Sequence, residues 1–122
     1  MTVFDASALL AFLRGEPGAP AVAERLADGG VCGAANWSEV AQKVRQAGAD
    51  WELARRLLDS YGLRVEPVTE ADGETAAALW RRGSGLSLAD RLCLALADRT
   101  GRDALTADAA WAGLPRVVLV RD

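Results

Sequence analysis

MTVFDASALLAFL, Met1 to Leu13, passes from a strand to a helix within a dozen residues. Thr2–Phe4 is a short β-branched and aromatic run of the kind that suits a buried, pleated surface. From Ala6 to Leu13 the apolar residues recur at helical spacing, and the run ends near Arg14-Gly15, before Pro17. Asp5 stands at the junction, with apolar residues on both sides. A charge beside a core is costly unless something compensates it. Asp5 therefore needs a capping partner or a ligand.

Outward from this segment the same alternation continues. Pro20–Leu26 reads as a second helix followed by Gly29-Gly30, and Val31–Ala34 as a strand of small residues. Trp37–Gln46, stopped by Gly48, and Trp51–Tyr61, stopped by Gly62, are paired middle helices. Leu63–Val68 alternates like a strand, with Pro67 placing it near an edge or an end. Thr69–Arg82 is helical and closes at Gly83. Ser87–Thr100 is the clearest helix, closed by Gly101. Ala104–Thr106 is a short strand, Ala109–Ala112 a helical turn, and Val117–Val120 (VVLV) a buried strand. Strands separated by helices predict an α/β fold, a three-layer α/β/α sandwich with a mostly parallel central sheet. At 122 residues the chain predicts one domain, 1–122.

Absences narrow the chemistry. The chain has no histidine, which excludes Ser-His-Asp and Cys-His nucleophilic catalysis and the usual zinc and iron sites. Cys32 and Cys93 are far apart in apolar contexts, so buried, reduced thiols are expected rather than a metal knuckle. No uncharged apolar run approaches the roughly 18 residues that cross a bilayer, and no basic-then-apolar leader opens the chain. A cytoplasmic protein without membrane contact is the expectation. Catalysis, if present, runs on carboxylates, hydroxyls and arginines.

Four carboxylates fall at element junctions: Asp5 after the first strand, Glu39 in NWSEV, Asp90 in LSLAD and Asp108 in LTADAAW. Each has a local explanation. Asn36 with Glu39 fits a capping box, Ser87 with Asp90 a weaker one, and Asp5 and Asp108 fit N-caps. In open α/β sheets, however, ligands bind beyond the carboxyl ends of the strands. Gathered there, four acids would repel one another, and a divalent cation removes that penalty. An all-oxygen set suits Mg²⁺ or Mn²⁺.

VFDASALLAFL, Ser38–Val40 (SEV), LSLADRLCLALA and ALTADAAW resemble the four motifs of the PIN-domain nucleases, most closely the VapC-type toxins of toxin–antitoxin modules. The resemblance runs the full chain. It implies that Asp5, Glu39, Asp90 and Asp108 form an acidic catalytic quartet, with Asp5, Asp90 and Asp108 holding the metal and Ser7 and Thr106 as supporting hydroxyls. It further implies hydrolysis of RNA to a 5′-phosphate and a 3′-hydroxyl, a homodimer, and a cognate antitoxin. That partner would lay an amphipathic helix across a groove within Trp37–Tyr61. Asp103 is expected to be an ordinary surface acid.

The net charge of −3 argues weakly against nucleic acid. Setting the quartet aside leaves 13 acids against 14 bases, thirteen of them arginine. Arg14 and Arg91 are candidates to touch the RNA backbone, while Arg81-Arg82 reads as a solvated helix end. An aspartyl phosphotransferase would want a second Asp where Ser7 stands. A receiver-type domain would want a late lysine, and Lys43 comes early. A catalytically silent module that binds RNA or a partner is the remaining alternative, against which the intact quartet argues.

Overall fold

The computed structural model describes residues 1–120. Its elements are β1 (Thr2–Phe4), α1 (Ala6–Leu13), α2 (Ala19–Ala27), β2 (Gly30–Gly33), α3 (Ala34–Gln46), α4 (Trp51–Ser60), β3 (Arg64–Glu66), α5 (Glu70–Ala78), α6 (Leu88–Thr100), β4 (Asp103–Thr106), a 3₁₀ turn (Ala109–Trp111) and β5 (Val117–Leu119). The strands form one parallel sheet in the order β3-β2-β1-β4-β5. Strand order reverses at β1, the switch point where open sheets of this type present their ligand crevice.

Alternation along the central strands divides the core in two. Phe4, Cys32 and Leu105 face a cluster with Leu9, Leu10, Val22, Leu26, Val40 and Leu58, contributed by α1–α4. Val3, Val31 and Ala104 face the opposite cluster with Cys93, Leu94, Leu96 and Trp111. Because neighbours on a strand point to opposite faces, three adjacent pairs are enough to build both layers. α5 packs on α6, which completes the three-layer sandwich. At Gly30 a side chain would collide with the ring of Phe4, so the sheet requires the absence of a Cβ there. Among the described residues no helix is long and apolar enough to cross a membrane.

Three elements have a boundary that departs from the sequence expectation by two residues or more. α3 begins at Ala34 rather than Trp37, directly after β2, with Gly33 as its N-cap. α5 ends at Ala78 rather than Arg82. Arg81 donates from Nη1 to the carbonyls of Ala78 and Trp80, satisfying acceptors that a terminating helix leaves open. β3 is confined to Arg64–Glu66, ahead of Pro67, which cannot donate to a ladder.

Candidate metal centre

Asp5 leaves β1 with an extended backbone and caps α1, its Oδ1 accepting the Ala8 N–H at 2.8 Å. It is only 3% exposed. Ser7 Oγ lies 2.8 and 2.9 Å from its two carboxylate oxygens, and Thr106 Oγ1 donates to Oδ2 at 2.7 Å. Each hydroxyl oxygen in turn accepts a backbone N–H at the end of β4. Ala107 donates to Ser7 Oγ at 2.9 Å, and Asp108 donates to Thr106 Oγ1 at 3.0 Å. With those oxygens committed to the backbone, the hydroxyl protons are left for Asp5. One carboxylate thereby ties the end of β1 to the end of β4.

Burial pushes the Asp5 carboxyl up to about 6 despite these hydrogen bonds, and repulsion from Asp90 adds to the effect. Glu39, half-buried on α3, is raised by burial first and by Asp90 second, with Lys43 opposing. Asp90 is the third residue of α6. Its Oδ2 accepts the Ser87 N–H at 2.9 Å while Ser87 Oγ accepts the Asp90 N–H at 3.1 Å, a full capping box. Oδ1 of Asp90 accepts no hydrogen bond among the described residues. Asp108 is exposed, and its Oδ1 accepts the Ala110 N–H at 2.9 Å.

The expected Asn36–Glu39 capping box does not form. Because α3 starts at Ala34, Asn36 lies inside the helix and Glu39 falls in its second turn. Asn36 Nδ2 instead donates across to the Ala89 carbonyl at 3.2 Å.

The fold thus brings Asp5, Glu39 and Asp90 within repulsive range, with Asp108 joined to Asp5 through Thr106. The arrangement is open. Among the described residues no three of His, Cys, Asp and Glu converge closely enough to grip an ion as they stand. Three of the four carboxylates are turned onto backbone N–H groups, which accounts for the spacing. Among the described residues none of the four is in a salt bridge. Oxygen donors with a buried, unneutralised acid at their centre fit a hard divalent cation such as Mg²⁺ or Mn²⁺. Cys32 and Cys93 are fully buried beside the cluster. Burial foremost, and then the nearby acids, pushes both thiols up, so they remain protonated and are poor ligands.

The arginines are placed differently from the acids. Arg91 turns to α5, its Nη1 donating to the Ala76 carbonyl at 2.8 Å and its Nε buried. This employs it in helix packing rather than toward a phosphate. Arg14 is exposed at the far end of α1, about 13 Å along the helix from Asp5. There it lines a groove with Leu10, Leu13, Val44, Leu53 and Leu57. Asp103 pairs with Arg25 at 3.3 Å on the surface.

The PIN domain family model matches residues 2–117. A VapC ribonuclease of Mycobacterium bovis and Ribonuclease VapC42 of Mycobacterium tuberculosis are each 35% identical over 115 residues, covering 84% of this chain and 87% of the relative. Among solved structures, a toxin–antitoxin complex from Klebsiella pneumoniae aligns over 100% of this chain and 99% of its own, with a TM-score of 0.78 at 21% identity. VapC20 of M. tuberculosis, a sarcin-ricin loop cleaving toxin, aligns over 94% of this chain and 95% of its own, with a TM-score of 0.73 at 18% identity. VapBC2 of Rickettsia felis, bound to a DNA fragment from its promoter, aligns over 97% and 96%, with a TM-score of 0.67 at 16% identity. At these identities the structures share the fold, whereas the family model and the sequence relatives carry the lineage. The chain belongs to the PIN domain family, alongside the VapC ribonucleases.

Proposed function

We propose that this protein is a Mg²⁺-dependent endoribonuclease and the toxin of a type II toxin–antitoxin pair. The observation that carries the reading is Asp5: a buried carboxylate with no basic partner among the described residues, held by hydroxyls and pressed by Asp90. A protein that leaves such a charge unpaired in its core loses stability. An ion that neutralises it accounts for both its burial and its surroundings.

Asp5 and Asp90 are the residues to hold the ion, with Asp108 contributing from the rim. When bound, the ion supplies Lewis-acid chemistry, drawing charge from a phosphate oxygen and favouring ionisation of the attacking water. Ser7 and Thr106 keep the Asp5 oxygens in one orientation. In this reading Glu39, half-buried, and Asp108, exposed, would orient that water and accept its proton. The products are a 5′-phosphate and a 3′-hydroxyl. No histidine is required.

The partners follow from the relatives and from one surface. The Klebsiella neighbour is a toxin–antitoxin complex, and the groove between α1, α3 and α4 is apolar, with Leu53 and Leu57 exposed. It overlaps Trp37–Tyr61 and suits an amphipathic antitoxin helix. A homodimer acting in the cytoplasm completes the reading.

The test is cleavage of a structured RNA mixture by wild type and Asp90→Asn, with Mg²⁺ or with EDTA. Cutting by wild type with metal alone, leaving 5′-phosphate ends, is the expected result. Cutting by Asp90→Asn, or by wild type in EDTA, would remove the acids from the mechanism. Silence in every lane, with no Mg²⁺ binding, would make the chain a binding module.

A further inference from the structure

We infer that Asn36 is a positioning residue for the acid cluster, bolting the start of α3 to the start of α6 so that Glu39 and Asp90 stay beside Asp5. The inference rests on the metal-centre reading above and adds a residue that touches neither ion nor substrate.

Asn36 is 1% exposed. The other buried polar side chains among the described residues, Thr2, Asp5, Asp72 and Thr106, all have partners. Asn36 is only half-satisfied. Its Nδ2 donates to the Ala89 carbonyl at 3.2 Å, while its Oδ1 is buried without a hydrogen bond. That oxygen sits where residue 33 has no side chain, and a Cβ on Gly33 would come to 3.3 Å from it. Turning the amide over would set Oδ1 against the Ala89 carbonyl, so the orientation follows from the neighbours.

An orphaned acceptor in a core is unfavourable, and an apolar side chain of similar volume would avoid it. A core that needed only packing here would have no use for an amide. The bond's position supplies the reason. Asn36 lies three residues before Glu39 on one helix, and Ala89 lies immediately before Asp90 on the other. Neither helix start has another tether across this junction among the described hydrogen bonds. α3 is capped by Gly33 without a side-chain bond, and the α6 capping box, Ser87 with Asp90, is internal to its own turn. The two acids repel each other, so their helix starts tend to part, and a directional bond between those starts opposes that motion. The capping-box pattern at Asn36 in the sequence is therefore a tertiary contact in the fold.

The experiment compares wild type, Asn36→Ala and Val22→Ala. Val22 is fully buried on α2, outside the acid cluster and outside the apolar groove, so its truncation reports loss of packing alone. Mn²⁺ affinity is measured by calorimetry below the unfolding transition, alongside urea stability and the kcat and KM for RNA cleavage. The expected result is an Mn²⁺ affinity about tenfold weaker in Asn36→Ala and a reduced kcat at little-changed KM. Val22→Ala should lose comparable stability and bind Mn²⁺ like wild type. Equal affinity in Asn36→Ala and wild type would overturn the inference, as would equal weakening in Val22→Ala. Should Asn36→Ala fail to fold, Asn36→Ser, too short to reach Ala89, stands in the same comparison. A wild type that binds no Mn²⁺ would overturn the metal-centre reading itself, and this inference with it.

Discussion

Asp5 is under two opposed demands. Burial favours its neutral form, and the chemistry proposed for it needs the charged one. Its ordinary value of 3.8 becomes about 6 in the fold. Between those two values the folded chain binds the proton that the unfolded chain has released. The stability Asp5 contributes is thus complete below pH 4 and is lost as pH rises through about 6. Asp5→Asn is uncharged throughout and escapes that loss. In urea titrations without metal, the variant should exceed wild type at pH 7.5 by on the order of 2 kcal/mol and converge toward it at pH 4. Cleavage should be abolished. Parallel stability curves across pH would mean that Asp5 is not strained by its burial. The acid itself was evident from sequence, as a charge between apolar runs. Its two hydroxyl partners were suggested by family resemblance, and the backbone N–H groups behind them emerge only when β1 and β4 are neighbours.

At the scale of elements, two surfaces carry predictions. α5 is held to α6 by Asp72, 4% exposed, which accepts from Arg99 Nε at 2.8 Å and Nη2 at 3.1 Å while closing a capping box with Thr69. Hydrogen bonds from Arg99 hold its carboxyl below the ordinary value. Its sign is the reverse of Asp5: the stabilisation is present at neutral pH and is lost as pH falls through the lowered value. Asp72→Ala should cost about 2–3 kcal/mol at pH 7 and leave Mg²⁺ affinity of the folded protein unchanged, measured by urea unfolding and calorimetry. A large loss of affinity would mean that α5 helps to set the site. On the other side, Leu53 is 62% exposed on α4. Leu53→Asp should leave stability within about 0.5 kcal/mol and weaken antitoxin binding about tenfold or more in a pull-down titration, without affecting RNA cleavage. Undiminished binding would place the partner elsewhere. Helix interiors were readable because periodicity is local. The starts of α3 and the end of α5 were not, because a small glycine cap and an arginine folded back on carbonyls leave weak sequence signals.

For the molecule as a whole, the proposed metal centre predicts a linkage between ion binding and stability. Mg²⁺ at about a hundred times its dissociation constant should stabilise the protein by about 2.7 kcal/mol. The gain in melting temperature should be larger at pH 7.5 than at pH 5.5, because the ion competes with the Asp5 proton. Equal gains at both pH values would detach Asp5 from the metal. The amino-acid sequence by itself determined the alternating elements, the absence of histidine chemistry and the identity of four acids at element junctions. These depend on residue type and on neighbours a few positions away. Only the tertiary structure decided the strand order β3-β2-β1-β4-β5, the bond network joining Ser7 to Thr106 across 99 positions, and the use of Asn36 as a bridge to Ala89 rather than a cap. A cap and a bridge ask for the same side chain, and which of them forms depends on the surface that the fold brings against it.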